Sequence, residues 1–288
     1  MTARIIDGKA IAKRVRAELL PRVQALAESG ITPALAVIMV GNDAASKVYV
    51  GNKVRACGEM GMRCDVHQFS PDTPQERVEE CIRALNEDPE IHGILVQLPL
   101  PAHYDARKLI ALIELSKDVD GFHLYNVGAL VVGEQIFPPC TPYGVAKLLD
   151  VAGIPVAGQN VVVVGASNIV GKPMAMMLLA REATVAICHV RTRDLTEFST
   201  LADILIVGVG KPGLITAPMV KPGSVVIDVG MNRLASGRFT GDVDFEAVRE
   251  RASFITPVPG GVGPMTVTML MSNTVTAAER CTAPACVD

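Results

Sequence analysis

The sequence has no tryptophan, and only 4% of its residues are aromatic. Its cores must therefore be built from Val, Leu, Ile, Ala and Met. No apolar run reaches the roughly 18 residues of a membrane span, so no membrane partner is expected. Basic runs are missing too, and a net charge of -3 argues against a general nucleic-acid binder. Seven cysteines, an odd number with no C-x-x-C pair, fit neither a disulfide framework nor a zinc site. The histidines add no metal-ligand spacing, and no metal is expected. Met1 to Ala10 lack the pattern of a signal peptide, and the expectation is a reducing, cytoplasmic setting. Internal repeats and low-complexity segments are absent. At 288 residues the chain is long enough for two domains with sizeable cores.

What is present centres on Val161-Val162-Val163-Val164-Gly165-Ala166-Ser167-Asn168-Ile169-Val170-Gly171-Lys172-Pro173. Four β-branched residues in a row predict a strand buried on both faces, the middle of a parallel sheet. A helix is expected from Pro173 to Ala180, with proline in its first turn. A strand, a glycine turn and a helix N-terminus form a phosphate site, because free N–H groups and the helix dipole point outward. The spacing departs from G-x-G-x-x-G: Ser167 stands at the second glycine, and the last glycine comes one residue late. Taken alone, the segment is equally well explained as a buried strand and a tight turn.

The following segments favour a nucleotide. Thr184 to Cys188 predicts a second strand, Ile204 to Val207 a third running into Gly208-Val209-Gly210, and Val225 to Gly230 a fourth. A dinucleotide needs strands that end in glycine, since it lies against their carboxyl ends. The second strand ends in His189-Val190-Arg191-Thr192-Arg193. A basic end there favours NADP over NAD, which is usually held by an acidic residue at this place.

The first half repeats the alternation. Lys9 to Ser29 predicts an amphipathic helix with Ile11, Val15, Leu19, Val23 and Leu26 on one stripe. Leu35 to Val40, Val66 to Phe69 and Gly93 to Leu98 predict strands; Ala44 to Met60 and Pro74 to Asn86 predict helices. The fold class is therefore α/β with two domains: an N-terminal α/β domain and a Rossmann-like NADP-binding domain. From Ser116 to Thr141 there is little periodicity, and the proline cluster from Pro138 to Pro142 sets the expected boundary, giving domains 1–140 and 141–264. Thr256 to Pro264 opens onto a helix from Met265 to about residue 280, which is expected to return to the first domain. The tail, 281–288, is expected to fray.

Three polar groups stand where apolar ones are expected. Lys53 lies on a largely apolar helix and shares a face with Ser46 and Tyr49. A lone lysine of this kind is ordinarily a surface residue with its stem on the core; drawn into a pocket, it loses solvation, its pKa falls and it can act as a base. Gln97 ends an apolar strand, where it either faces a ligand or caps the Pro99 turn. Asp120 precedes a glycine in a loop, and for its neighbour Asp118 plain turn chemistry suffices. His123 and His189 have no carboxylate at a readable spacing and read as structural or solvent-facing.

Six stretches in this order resemble the bifunctional methylenetetrahydrofolate dehydrogenase/methenyltetrahydrofolate cyclohydrolase family. They are Ser46 to Lys53, Gly93 to Pro101, Lys117 to His123, Pro139 to Pro142, Gly165 to Pro173, and Pro257 to Thr266; the resemblance runs from about Ile6 to Glu279. It implies that the N-terminal α/β domain is the catalytic domain, with a folate-binding cleft between two domains, NADP as cofactor, and a homodimer formed through the nucleotide domains. It implies oxidation of 5,10-methylenetetrahydrofolate followed by hydrolysis to 10-formyltetrahydrofolate, within one-carbon metabolism and the purine, methionine and histidine biosynthesis connected to it. It further implies Lys53 as the base of the hydrolysis, Tyr49 stacked on the folate, Gln97 holding the lysine and Asp120 on the pterin. The cofactor residues it implies are Thr141, Gly165, Ala166, Ser167 and Met231, with Arg191 proposed from its place on the strand-end loop.

Two departures bear on the cofactor. Ala166 stands where the family often has arginine, and Val190 where it often has serine or arginine. Rival readings are a dehydrogenase of the shikimate type, which lacks the Gln97-Leu98-Pro99 and Pro259-Gly260-Gly261 stretches, and a non-catalytic NADP-binding protein. A short-chain dehydrogenase is disfavoured because Tyr49 and Lys53 precede the glycine turn.

Overall fold

The computed structural model describes residues 2–282, which divide into two compact units. One holds residues 15–140 together with the chain from Val267 onward, the other the first fourteen residues and Thr141–Thr266. Residues 1–14 thus group with the second unit, where the expectation was a continuous 1–140 domain. A two-residue strand, β1 (Arg4–Ile5), pairs in parallel with Phe254–Ile255 and extends the sheet at its edge. The helix α1 (Gly8–Glu28) follows, with Val15, Leu19, Val23 and Leu26 buried along the predicted stripe.

The lysine-bearing unit is built on β2 (Ala34–Val40), α2 (Ala44–Glu59), β3 (Arg63–Phe69), α3 (Gln75–Glu87) and β4 (Gly93–Val96). Its three strands are parallel in the order β3-β2-β4. The central strand β2 is buried along its whole length, which explains its unbroken apolar run. Ile38, Val78, Ile82, Ile94 and Leu109, the last from α4 (Ala106–Ala111), pack into one core. The stretch from 116 to 141 is more regular than expected, for it contains the helix α5 (Leu124–Val132). Only Asn126, Ala129 and Leu130 of this helix are buried, while Leu124 and Val132 are 78% and 72% exposed. Apolar residues all round leave no helical period to read.

The second unit runs through α6 (Cys140–Val151), β5 (Asn160–Val164), α7 (Gly171–Leu179), β6 (Thr184–Cys188), α8 (Leu195–Ser199), β7 (Ile204–Val207) and β8 (Val225–Asp228). A hairpin, β9 (Asn232–Arg233) with β10 (Phe239–Thr240), precedes α9 (Phe245–Arg249) and β11 (Phe254–Ile255). Six parallel strands lie in the order β1-β11-β8-β7-β5-β6. From β5 the chain steps first to β6 on one side, then to β7 on the other. The carboxyl end of β5 is therefore the topological switch point, where open α/β sheets bind their ligands. The last helix, α10 (Val262–Thr282), starts three residues before the predicted Met265 because Gly263 and Pro264 fit its first turn. From Val267 on it belongs to the lysine-bearing unit. Of the tail expected to fray, 281 and 282 are helical and 283–288 lie outside the described residues.

Candidate active site and nucleotide cradle

The lysine is positioned by the start of its helix. Gly41, at φ 86°, turns the chain out of β2, and Asp43 caps α2 by accepting from Ser46 N at 2.7 Å. From that cap Ser46, Tyr49 and Lys53 follow on one face. Lys53 is only 8% exposed, and its Nζ donates to Gln97 Oε1 at 2.8 Å. Gln97 Nε2 donates to Leu98 O at 2.6 Å, so this side chain both caps the proline turn and holds the lysine. The ladder ends at Val96, before the predicted Leu98, since Pro99 has no N–H to continue it. Burial lowers the pKa of Lys53 below the usual lysine range, with Asp120 pulling the other way. Burial also raises that of the Tyr49 hydroxyl.

Asp120 sits on a loop tied down from several sides. The buried Lys117 donates through Nζ to Leu85 O at 2.9 Å, Asn86 O at 2.7 Å and Asp88 O at 2.7 Å, closing the carbonyl end of α3. Asp118 accepts from His123 N at 2.8 Å and Asn126 Nδ2 at 2.6 Å, the turn role expected of it. Asn273 on α10 donates to Val119 O at 2.8 Å and Pro138 O at 3.0 Å. Gly121 has φ 77°, and a Cβ there would lie 2.5 Å from Phe137 O. Asp120 is left half-buried, and burial pushes its carboxyl up to about 6 against the opposing pull of Lys53. Burial thus drives the amine and the carboxyl both toward their neutral forms.

The cysteines around this pair were not anticipated. Cys140 Sγ donates to Val119 O at 3.3 Å and lies against the Asp120 carboxylate; Cys57 and Cys64 also face Lys53. Their one readable signal was Cys140's place between prolines beside Thr141. No cluster of three or more metal-ligating side chains occurs among the described residues.

In the second unit, Gly165 and Gly208 close the switch point. A Cβ on Gly165, at φ 125°, would lie 2.3 Å from Gly208 O, and one on Gly171 1.9 Å from Gly165 O. Only glycine permits so close an approach, which leaves a cradle lined by backbone. Ser167 Oγ accepts from Val170 N at 3.1 Å and Gly171 N at 3.3 Å, holding the turn that leads into α7; Ala166 beside it is half-buried. The adjoining loop after β6 is open: Val190 is 97% exposed, and Arg191 and Arg193 are exposed as well. His189 serves that loop structurally, its Nδ1 accepting from Arg191 N at 3.1 Å, as His123 does by capping α5. Asp194, the first acid after β6, is engaged in capping α8 through Thr196 N at 2.8 Å. Met231 is half-buried, with Gly263 beside it. Thr141 shares a hydrogen bond with Thr266 at 3.0 Å and is tied there, not to the glycine turn. A glycine cradle at the switch point beside an arginine-bearing loop fits a phosphorylated dinucleotide.

A parallel sheet with a backbone-lined switch point, joined in one chain to a second α/β unit holding a desolvated lysine, defines a two-domain dehydrogenase-type enzyme. The chain belongs to the tetrahydrofolate dehydrogenase/cyclohydrolase family. Its catalytic-domain model matches residues 6–120, and its NAD(P)-binding-domain model residues 139–282. A "Bifunctional protein FolD" of Nitrosospira multiformis is 60% identical over 280 residues, 97% of each chain. The crystal structure of the bifunctional methylenetetrahydrofolate dehydrogenase/cyclohydrolase from Campylobacter jejuni is 48% identical, with TM-score 0.95 over 96% of this chain and 99% of that one. The Trypanosoma brucei enzyme, solved with NADP cofactor and an inhibitor, is 38% identical, with TM-score 0.96 over 99% of this chain and 100% of that one.

Proposed function

We infer that the protein oxidises 5,10-methylenetetrahydrofolate to 5,10-methenyltetrahydrofolate with NADP and hydrolyses the product to 10-formyltetrahydrofolate. The observation that carries this reading, in a chain of this family, is the buried Lys53 held by Gln97 with Asp120 close by. Asp120 receives the N–H and amino edge of the pterin, which a carboxylate accepts as a bidentate pair. Tyr49 stacks on the folate, and Gln97 keeps the lysine amine in place. NADP, when bound, supplies the hydride acceptor. The methenyl product is a cation, which further disfavours a charged lysine, and neutral Lys53 takes a proton from the attacking water.

Gly165, Ala166, Ser167, Met231 and Thr141 are the residues proposed to hold the cofactor, with Arg191 on its phosphate. The domain assignment follows: folate chemistry in the lysine-bearing unit, NADP in the other. A homodimer through the nucleotide units is supported by the edge position of β6 and the exposed Leu179, Ile187 and Val190. A cytoplasmic location fits the described cysteines, which are all free thiols. The product's place in purine, methionine and histidine biosynthesis is part of the same proposal. An absorbance assay with methylenetetrahydrofolate and NADP tests the reading: the methenyl band must rise with the reduced nicotinamide band and then decay. A reduced nicotinamide band without substrate consumption, or no change in either, defeats it.

A further inference from the structure

Two aspartates that the lysine site does not use are buried behind the nucleotide cradle. Asp228 and Asp242 are 3% and 0% exposed. Asp228 ends β8, and Asp242 follows the β9–β10 hairpin. Each carboxylate rests on a glycine close to the other aspartate in sequence, Gly230 two residues after Asp228 and Gly241 directly before Asp242. A Cβ on Gly230 would lie 2.3 Å from Asp242 Cγ, and one on Gly241 1.9 Å from Asp228 Oδ2.

Their described partners are all donors. Asp228 Oδ1 accepts from Gly230 N at 2.9 Å and Asp242 N at 3.0 Å, and its Oδ2 from Val243 N at 2.9 Å. Asp242 Oδ2 accepts from Val209 N at 2.6 Å and Gly210 N at 2.9 Å, and its Oδ1 from Asn232 Nδ2 at 2.8 Å. Two carboxylates so close in a buried volume repel each other whenever both are ionised, and the donors offset that cost only while the loops keep this shape.

The loops so held form one wall of the switch point. Val209 and Gly210 continue from Gly208, whose carbonyl occupies the place of the missing Gly165 Cβ. Gly230, pressed on Asp242, leads directly into Met231. We propose that Asp242, backed by Asp228, is a positioning residue for the nicotinamide cofactor: it fixes the ends of β7 and β8 so that NADP meets a preformed surface. This rests on reading the second unit as the NADP site.

The arrangement makes a sharp demand on side-chain chemistry. In Asp242→Asn the new amide must turn its NH2 either on Val209 and Gly210 or on the Asn232 NH2, donor against donor in both cases. Adding Asn232→Asp supplies an acceptor for that NH2 and restores a donor to every acceptor. NADP binding is measured by isothermal titration calorimetry, first on the wild type. Circular dichroism and the cofactor-free hydrolysis of methenyltetrahydrofolate report that each variant is folded. Asp242→Asn weakens binding by at least about tenfold, and the double variant recovers to within about threefold of wild type. A folded Asp242→Asn protein that binds within about twofold of wild type overturns the proposal; so does a folded double variant no tighter than the single one. If Asp242→Asn alone does not fold, the double variant decides by the same criterion. A wild type that takes up no NADP would instead overturn the nucleotide reading on which the proposal rests.

Discussion

Lys53 Nζ donates to Gln97 Oε1 at 2.8 Å, so the buried amine is anchored by a neutral amide and not by a carboxylate. An amide oxygen accepts from the amine whether it is charged or neutral. Gln97 therefore fixes the position of Lys53 without adding the negative charge that would keep it protonated.

Lys53→Met is expected to abolish hydrolysis of methenyltetrahydrofolate while NADP binding persists. Gln97→Glu should be the more telling change. A carboxylate at this distance raises the pKa of the lysine, and each unit of rise cuts the neutral amine about tenfold. Hydrolysis at neutral pH should fall by at least about tenfold, with the rising limb of the pH–rate profile displaced upward. An undisplaced profile in Gln97→Glu would remove Lys53 as the base.

Asp120, with a carboxyl pushed up to about 6 by burial, must be ionised to accept from two N–H groups. The KM for folate should therefore rise as pH falls through about 6 in the wild type. Asp120→Asn turns one acceptor into a donor and should weaken folate binding by about 2–4 kcal/mol at neutral pH. It should also flatten the acid limb and spare NADP binding. Equal losses of folate and NADP affinity would mark a folding defect.

Arg191 is the first residue to test for cofactor choice. With the cofactor placed as proposed, Ala166 and Val190 offer its phosphate no charge, while Asp194, the first acid after β6, is engaged in capping α8. A charge-assisted contact from Arg191 contributes about 1.5–3 kcal/mol, roughly tenfold to hundredfold in preference. Arg191→Ala should lower the NADP-to-NAD ratio of kcat/KM accordingly, and Arg193→Ala should do less. A wild type that already prefers NAD contradicts the assignment; an unmoved ratio in Arg191→Ala places the phosphate grip elsewhere.

Asp228 couples stability to pH. Burial raises its carboxyl to about 7 from an ordinary 3.8. Between those values the folded protein holds a proton that the unfolded chain has released, so stability falls as pH rises. The contribution is fully present below the unfolded pKa, is lost through the folded one, and has a slope of up to about 1.4 kcal/mol per pH unit. Urea unfolding of Asp228→Asn at several pH values should give a flatter line, above all beyond about 6, where Asp120 no longer adds its share. Parallel lines for variant and wild type would exclude Asp228 as the source.

Local patterns made much of the fold legible. The runs at Thr184–Cys188 and Ile204–Val207 are bounded by turn residues, and the strands occupy those residues. The Lys53 face could be read because helical offsets are fixed by geometry, and Gln97 because a polar residue at the end of a buried strand is conspicuous. Helix α5 was hidden by its uniform apolarity. Asp228 was visible as an acid inside a Val-Ile strand, but its partner Asp242 comes from beyond a hairpin, and no local period joins the two. Of the thiols near Lys53 only Cys140 carried a signal, its place beside Thr141, since Cys64 arrives from β3 with no pattern to join it to the lysine.

The outer strand β1, drawn from the first residues of the chain, finds its partner only at Phe254 and Ile255. The other unit is likewise incomplete until the helix from Val267 onward has been added. During synthesis, then, neither unit is complete until its distant piece has been made: β1 must wait for Phe254 and Ile255 to leave the ribosome. Cutting the chain between Cys140 and Thr141 would yield fragments each lacking a piece of its own unit. The two units divide the chemistry between them, yet each is assembled from both ends of the same polypeptide.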